Sequence, residues 1–185
     1  VTESLEDYDP TPAARAIQEF VGENLSNWYV RLNRKRFWGG KMDSDKLAAY
    51  QTLYTCLRTV ALLMAPFAPF YSDRLYNDLT ALGGEYSSVH LALFPEVDEA
   101  AIDPALERRM ALAQVITSNV LALRRKVNIK VRQPLAVLMV PAVDNDQMQA
   151  IELIKDLVAA EVNVKEVELI EKTTGLITKR IKPNF

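Results

Sequence analysis

One feature narrows the fold more than any other: a stripe of large apolar residues bounded by proline and glycine. Ile17, Val21, Leu25, Trp28 and Leu32 follow at intervals of four, four, three and four residues, the spacing that lines one face of an α-helix. Thr11 and Pro12 offer an N-cap and a first helical position, and Gly39-Gly40 offer a stop. An amphipathic helix of that length must bury its stripe against neighbours, which predicts a helical bundle.

The segments that follow repeat the form. A second helix is expected from Asp43 or Ser44 through "KLAAYQTLYTCLRTVALLM", ended or kinked at Pro66. "PFAPFYSDRLYNDLTAL" predicts a third, stopped by Gly83-Gly84, and "EYSSVHLALFPEVDEAAI" an extended connection. A fourth begins near Asp103 with Pro104 just inside it, and Ile116, Val120, Leu123 and Val127 recur at helical spacing. After "RQP" the pattern shifts: "LAVLMVPA" predicts a buried strand and "DQMQAIELIKDLVAAE" an amphipathic helix. "NVKEVELIE" alternates through Val167 and Leu169, and "LITKRIK" predicts a last strand. The expected class is mainly α, with a helical bundle over residues 1–130 and a small α/β subdomain over residues 131–185.

Composition excludes several chemistries. The single Cys56 rules out an internal disulfide and a cysteine-rich zinc site, and the single His90 rules out a histidine-clustered metal site. Neither a metal site nor a catalytic site is expected in this chain. Cys56 lies between Leu53, Leu57 and Val60, as a structural thiol would, and His90 reads as a loop-packing residue. No apolar run approaches the ~18 residues of a membrane span, so no membrane partner is expected. The acidic opening "VTESLEDYD" lacks the features of a targeting peptide. A reducing, cytoplasmic setting follows as the expectation, and the missing initiator methionine suggests a piece of a longer polypeptide.

Charge is placed unevenly. The formal net charge is −2, yet ten of the 22 cations fall in two acid-free segments, Trp28 to Lys41 and Val120 to Arg132. A local basic face, not the total, decides whether a protein meets nucleic acid. In "WYVRLNRKRFWGGK", a helical wheel puts Asn27, Arg31, Arg34 and Trp38 on one shoulder beside the apolar stripe. Two readings stand level on charge alone. In one, Arg31, Arg34 and Lys35 meet phosphates while an exposed aromatic stacks on an unpaired base. In the other, the cations merely complement the negative end of a helix. Trp28 sits mid-stripe and belongs to the core. In "LRRKVNIKVRQPL", Arg124, Arg125 and Lys126 are consecutive and cannot all enter a core, with Lys130 and Arg132 on a following loop.

"GGKMDSDK" resembles the Lys-Met-Ser-Lys-Ser loop of class I aminoacyl-tRNA synthetases, but the chain lacks the paired histidines that accompany such a loop. Asp43 and Asp45 suit a helix N-cap and an acidic first turn instead.

At these residues the chain resembles the anticodon-binding region of isoleucyl-tRNA synthetases. "LSNWYVRLNRKRFWGG" is similar to that family's first anticodon-domain helix. "LAAYQTLYTCLRTVALLMAPFAPFYSDRLYNDL" is similar to its next two, with the Ala-Pro-Phe-x-Pro-Phe turn at Ala65 to Phe70. "SVHLALFPEVDEAAID" resembles a connection that often carries Trp-Pro, here with Phe94 in place of tryptophan. "LALRRKVNIKVRQPL", "NVKEVELIE" and "KPNF" match later stretches. Valyl and leucyl enzymes share the architecture and the Ala-Pro-Phe turn. A stand-alone helical protein-interaction module is the rival from another class.

The resemblance implies the helical anticodon-binding domain of class I synthetases, joined in its parent polypeptide to catalytic and editing domains. The parent would be an ATP-dependent aminoacyl-tRNA ligase acting in protein biosynthesis, using ATP and metal ions, with no cofactor in this segment. The partner would be the anticodon stem-loop of isoleucine tRNA. The expected RNA-binding residues are Asn27, Arg31, Arg34, Lys35, Trp38, Arg124, Arg125, Lys130 and Arg132.

Overall fold

The computed structural model describes residues 1–81, 83–142 and 144–170; "LITKRIK" and "KPNF" lie outside them. The chain divides into two compact units, Val1–Asp98 and Glu99–Phe185. The architecture is mainly α with a small α/β part.

In the first unit a short helix α1 (Thr2–Glu6) precedes α2 (Pro10–Glu19). The cap of α2 differs from expectation. Asp9 is the N-cap, its Oδ1 accepting from the Thr11 N–H at 3.2 Å, and Pro10 is the first helical residue. Proline suits that position because its missing N–H would have no partner there, so Thr11 supplies the capped N–H instead of the cap. From Phe20 to Val30 the helix continues with π geometry, then turns at Asn33 into α3 (Arg34–Trp38). A π stretch widens each turn to an i→i+5 bond, so a wheel drawn at 3.6 residues per turn loses phase across it. Ile17 and Leu25 are buried all the same, and Trp28 is half-buried.

Helix α4 (Ser44–Met64) begins at Asp43, whose side chain accepts from the Lys46 N–H at 2.8 Å. The "KMDSDK" segment is thus a helix start. Carbonyl Met64 accepts from the N–H groups of Phe67 and Ala68, both at 2.9 Å, closing the turn that contains Pro66. Helix α5 (Pro69–Thr80) therefore opens at Pro69, three residues later than the sequence pattern suggests. Ala61, Leu62, Tyr76 and Val89 form a core cluster, with Ala65, Leu75 and Ala92 packed against it. Asp73 Oδ1 fastens the following connection, accepting from Ser88 Oγ at 2.6 Å and the Val89 N–H at 3.0 Å.

The second unit begins with α6 (Pro104–Lys126), capped by Asp103, which accepts from the N–H groups of Ala105 at 2.9 Å and Leu106 at 3.0 Å. Strand β1 (Leu135–Pro141), helix α7 (Asn145–Val162) and strand β2 (Val164–Ile170) follow. The strands pair in parallel, Leu135 opposite Val164 and Leu138 opposite Val167. Asn163 ends α7 in the left-handed region at φ 54°. Because α6 packs on α7, it groups with the strands of the second unit, which begins at Glu99. An amphipathic helix carries no label for the partner it covers.

The buried face of α6 is Ala113, Ile116, Thr117, Val120 and Arg124. Leu123 and Val127, expected on the stripe, are each 61% exposed. Four residues beyond Val120 the inward position falls to an arginine.

Candidate nucleic-acid interface

The basic-aromatic stretch folds into a corner between α3 and α4 that sorts its own residues. Phe37 is buried, its ring 5.1 Å from Tyr50 and 6.3 Å from Tyr29 between centroids. Tyr50 Oη donates to the Phe37 carbonyl at 3.1 Å and Tyr29 Oη to the Ala49 carbonyl at 3.0 Å. The adjacent Trp38 points the other way and is 85% exposed. Gly39-Gly40 turns the chain immediately after it, and Lys46 Nζ donates to the Gly39 carbonyl at 3.1 Å.

Arg36 is the member of the basic run committed to the fold. Its Nε donates to Asp45 Oδ2 at 2.8 Å and its Nη2 to Asp45 Oδ1 at 2.6 Å, a bidentate pair. Nη1 donates to Asn33 Oδ1 at 2.7 Å, while Asn33 Nδ2 donates to the Tyr29 carbonyl at 2.8 Å. The hydrogen bond to Asp45 raises the Arg36 pKa, fixing the charge. That leaves Arg34 and Lys35 exposed on either side of no acid, with Asn27 and Arg31 also exposed.

The second cluster divides in the same way. Arg124 is 3% exposed. Its Nη1 donates to the carbonyls of Lys130 at 3.1 Å and Gln133 at 3.0 Å, and its Nη2 to that of Asn163 at 3.0 Å. This departs from its expected place among the RNA-facing cations. A guanidinium offers five donors in a rigid fork, and here the fork gathers three carbonyls of a loop and a helix end. Asn163 Nδ2 reinforces it, donating to the Val131 carbonyl at 2.8 Å. Arg125, Lys130 and Arg132 remain exposed, as does Lys126. Arg124 thereby positions the loop that carries Lys130 and Arg132.

Charge counting alone does not reveal this division. The signal available in the sequence is position: Arg124 continues the Ile116–Val120 stripe, and Asp45 lies in the first turn of the helix that follows the basic run. Exposed Lys41 and Lys126 extend the two clusters.

The remaining candidate groups carry no comparable chemistry. Cys56 is half-buried, and burial pushes its thiol pKa up, away from the thiolate form. Among the described residues no group of three or more His, Cys, Asp or Glu could hold a metal ion. Among the same residues no helix is long and apolar enough to cross a membrane.

The family model described as the anticodon-binding domain of tRNA ligase matches residues 1–139. Across all 185 residues the chain is 60% identical to an isoleucine–tRNA ligase of Porphyromonas gingivalis, of which it covers 16%. It is 59% identical over 181 residues to that of Bacteroides fragilis, again 16% of the relative's length. With the isoleucine–tRNA ligase of Thermus thermophilus it shares 42% over 187 aligned positions, 18% of that protein. The chain thus spans less than a fifth of these relatives and coincides with one segment of them. By its helical corner, its sequence and the family model that covers most of it, the chain belongs to the anticodon-binding domain family of tRNA ligases.

Proposed function

We propose that this chain is the segment of an isoleucine–tRNA ligase that holds the anticodon stem-loop of isoleucine tRNA. The amino-acid activation with ATP, its metal ions and any editing would belong to other parts of the same cytoplasmic polypeptide. The observation that carries the reading is the sorting at the α3–α4 corner. Phe37 turns inward and Arg36 ties itself to Asp45, which leaves Arg34, Lys35 and Trp38 exposed within one short helix. An exposed indole next to unneutralised cations suits a splayed base next to its phosphates. Asn27, Arg31, Arg34, Lys35 and Trp38 form the first contact set. Arg125, Lys130 and Arg132 form a second, and Arg124 acts through the loop it holds.

The test is binding of the chain to isoleucine tRNA and to a version with an exchanged anticodon, across a salt series. About five phosphate contacts give a log–log slope of magnitude about 3.5 to 4.5, with the native anticodon preferred. Replacing Arg34 and Lys35 together by Ala lowers the slope by about 1.5 while the helical circular dichroism stays unchanged. A flat salt response would favour apolar docking of a protein partner. Equal, weak binding to both RNAs would overturn the anticodon assignment.

A further inference from the structure

The link between α1 and α2 places a tyrosine where the backbone favours glycine. The Tyr8 N–H donates to the Leu5 carbonyl at 3.1 Å and the Asp9 N–H to the Ser4 carbonyl at 2.8 Å. That pair of bonds is the Schellman closure of a helix, in which the residue after the C-cap takes a left-handed backbone and is usually glycine. Here the residue is Tyr8, at φ 57°. A side chain with a Cβ is disfavoured there, and a bulky ring is an outlier.

The chain gains almost no packing from this placement. Tyr8 is 93% exposed, whereas Tyr29 and Tyr50 both bond carbonyls of the corner between α3 and α4. The turn is also held on its other side. Asp9 caps α2, Pro10 fixes the first helical φ, and α1 packs on α2. The ring is therefore presented on a fixed stem. Backbone strain that brings no local packing clusters at functional positions. A pre-organised, exposed tyrosine is the form that an interface anchor takes.

Charge selects what the ring can meet. Glu3, Glu6, Asp7 and Asp9 are all exposed within five residues of it, and no Lys or Arg precedes Arg15. Such a rim repels RNA phosphates and anionic lipid headgroups, which separates Tyr8 from Trp38 among its cations. A protein pocket with apolar walls and a basic rim meets both demands, the walls taking the ring and the rim the carboxylates. The chain spans less than a fifth of the ligases it matches. Most of such a polypeptide is therefore tethered to it at high effective concentration.

We propose that Tyr8 anchors this segment to another part of the same ligase polypeptide, by seating its ring in an apolar pocket rimmed by Lys or Arg. The proposal rests on the reading of the chain as part of an isoleucine–tRNA ligase.

The experiment compares the 185-residue chain with the full-length polypeptide that contains it, the latter also assayed for aminoacylation of isoleucine tRNA. Both are nitrated with tetranitromethane, and Tyr8 is followed by peptide mass spectrometry against N-acetyltyrosine amide as the reference. Tyr8 should react near the reference rate in the chain and about tenfold more slowly, or less, in the full polypeptide. Tyr8→Gly should hold or raise the thermal midpoint of the chain, because glycine suits the left-handed backbone. In the full polypeptide the same variant should let a glutamate-specific protease cut at Glu3 or Glu6 about tenfold faster or more. Tyr8→Phe should keep most of the protection. Equal nitration in the two proteins, or a lower midpoint for Tyr8→Gly in the chain alone, would overturn the anchor. So would protection that appears only with added tRNA, or that grows with the concentration of the chain. A full-length polypeptide without aminoacylation activity would overturn the ligase reading instead.

Discussion

Arg124 is one of five cations in the segment from Val120 to Arg132, but its energetic role is set by the carbonyls of Lys130, Gln133 and Asn163 that it gathers. Hydrogen bonds from a charged donor contribute more than neutral ones, and losing this donor leaves three carbonyls without it. Arg124→Ala should therefore destabilise the second unit by about 2–4 kcal/mol, read as a lower denaturant midpoint. Arg125→Ala, on an exposed side chain, should stay within about 0.5 kcal/mol. Equal effects of the two would remove the distinction. Asp73 is the corresponding clip of the first unit. The Ser88 hydroxyl and the Val89 N–H, in that order, hold its carboxyl pKa below the ordinary value. A depressed carboxylate pKa adds stability that is complete above the unfolded value of about 3.9 and is lost as pH falls through the folded one. Asp73→Asn should accordingly lower the thermal midpoint at pH 7 and flatten its decline below about pH 4. An acid limb unchanged in slope would show that the clip contributes nothing.

Elements were legible in the sequence where a residue's covalent chemistry dictates its backbone. Pro104 opens a helix and Asp43 and Asp103 cap helices where expected, and β-branched runs form β1 and β2, whereas Pro10 and Pro69 take the openings that the pattern put at Pro12 and Pro66. The two basic clusters were half legible. Local cation density marks both clusters, but which cation turns inward depends on partners distant in sequence, such as Asp45 for Arg36 and Asn163 for Arg124. The π stretch at Phe20–Val30 was not legible, because a stripe at 3.6-residue spacing looks the same until the phase slips. Gly84 shows the opposite case, in which the residue type announces a constraint. A side chain there meets the Thr80 Cβ at 2.7 Å, the fixed stem of a helical residue rather than a flexible tip. Gly84→Ala should cost about 1–3 kcal/mol, while Gly22→Ala, where a Cβ meets nothing within 4 Å, should be neutral or stabilising. Comparing the two denaturant midpoints checks the claim, and equal midpoints would sink it.

At the scale of the whole molecule, the division at residue 98 makes its own demand. The stretch from Glu96 to Asp103 is exposed throughout and carries only a single short turn at Glu99–Ala101. Backbone of that kind opens locally at little cost, and proteolysis follows the population of the open form when reclosing is fast. A glutamate-specific protease should therefore cut first at Glu96 or Glu99, releasing pieces whose masses match the two units. A first cut between residues 127 and 134 would instead place the weak point at the boundary the sequence suggested. That loop is held by Arg124 and Asn163, and the same assay can weigh the restraint. Trypsin acting on Arg124→Ala should cleave after Lys130 or Arg132 about tenfold faster or more, since a loss of ~1.4 kcal/mol multiplies the open population tenfold. The rate at which the glutamate-specific protease cuts the same variant at Glu96 and Glu99 should not move, because those residues belong to a connection that Arg124 does not touch. If both rates rose together, the two units would have to share one unfolding event. The loop of Lys130 and Arg132 would then be stabilised by the whole chain and not by its own bracket.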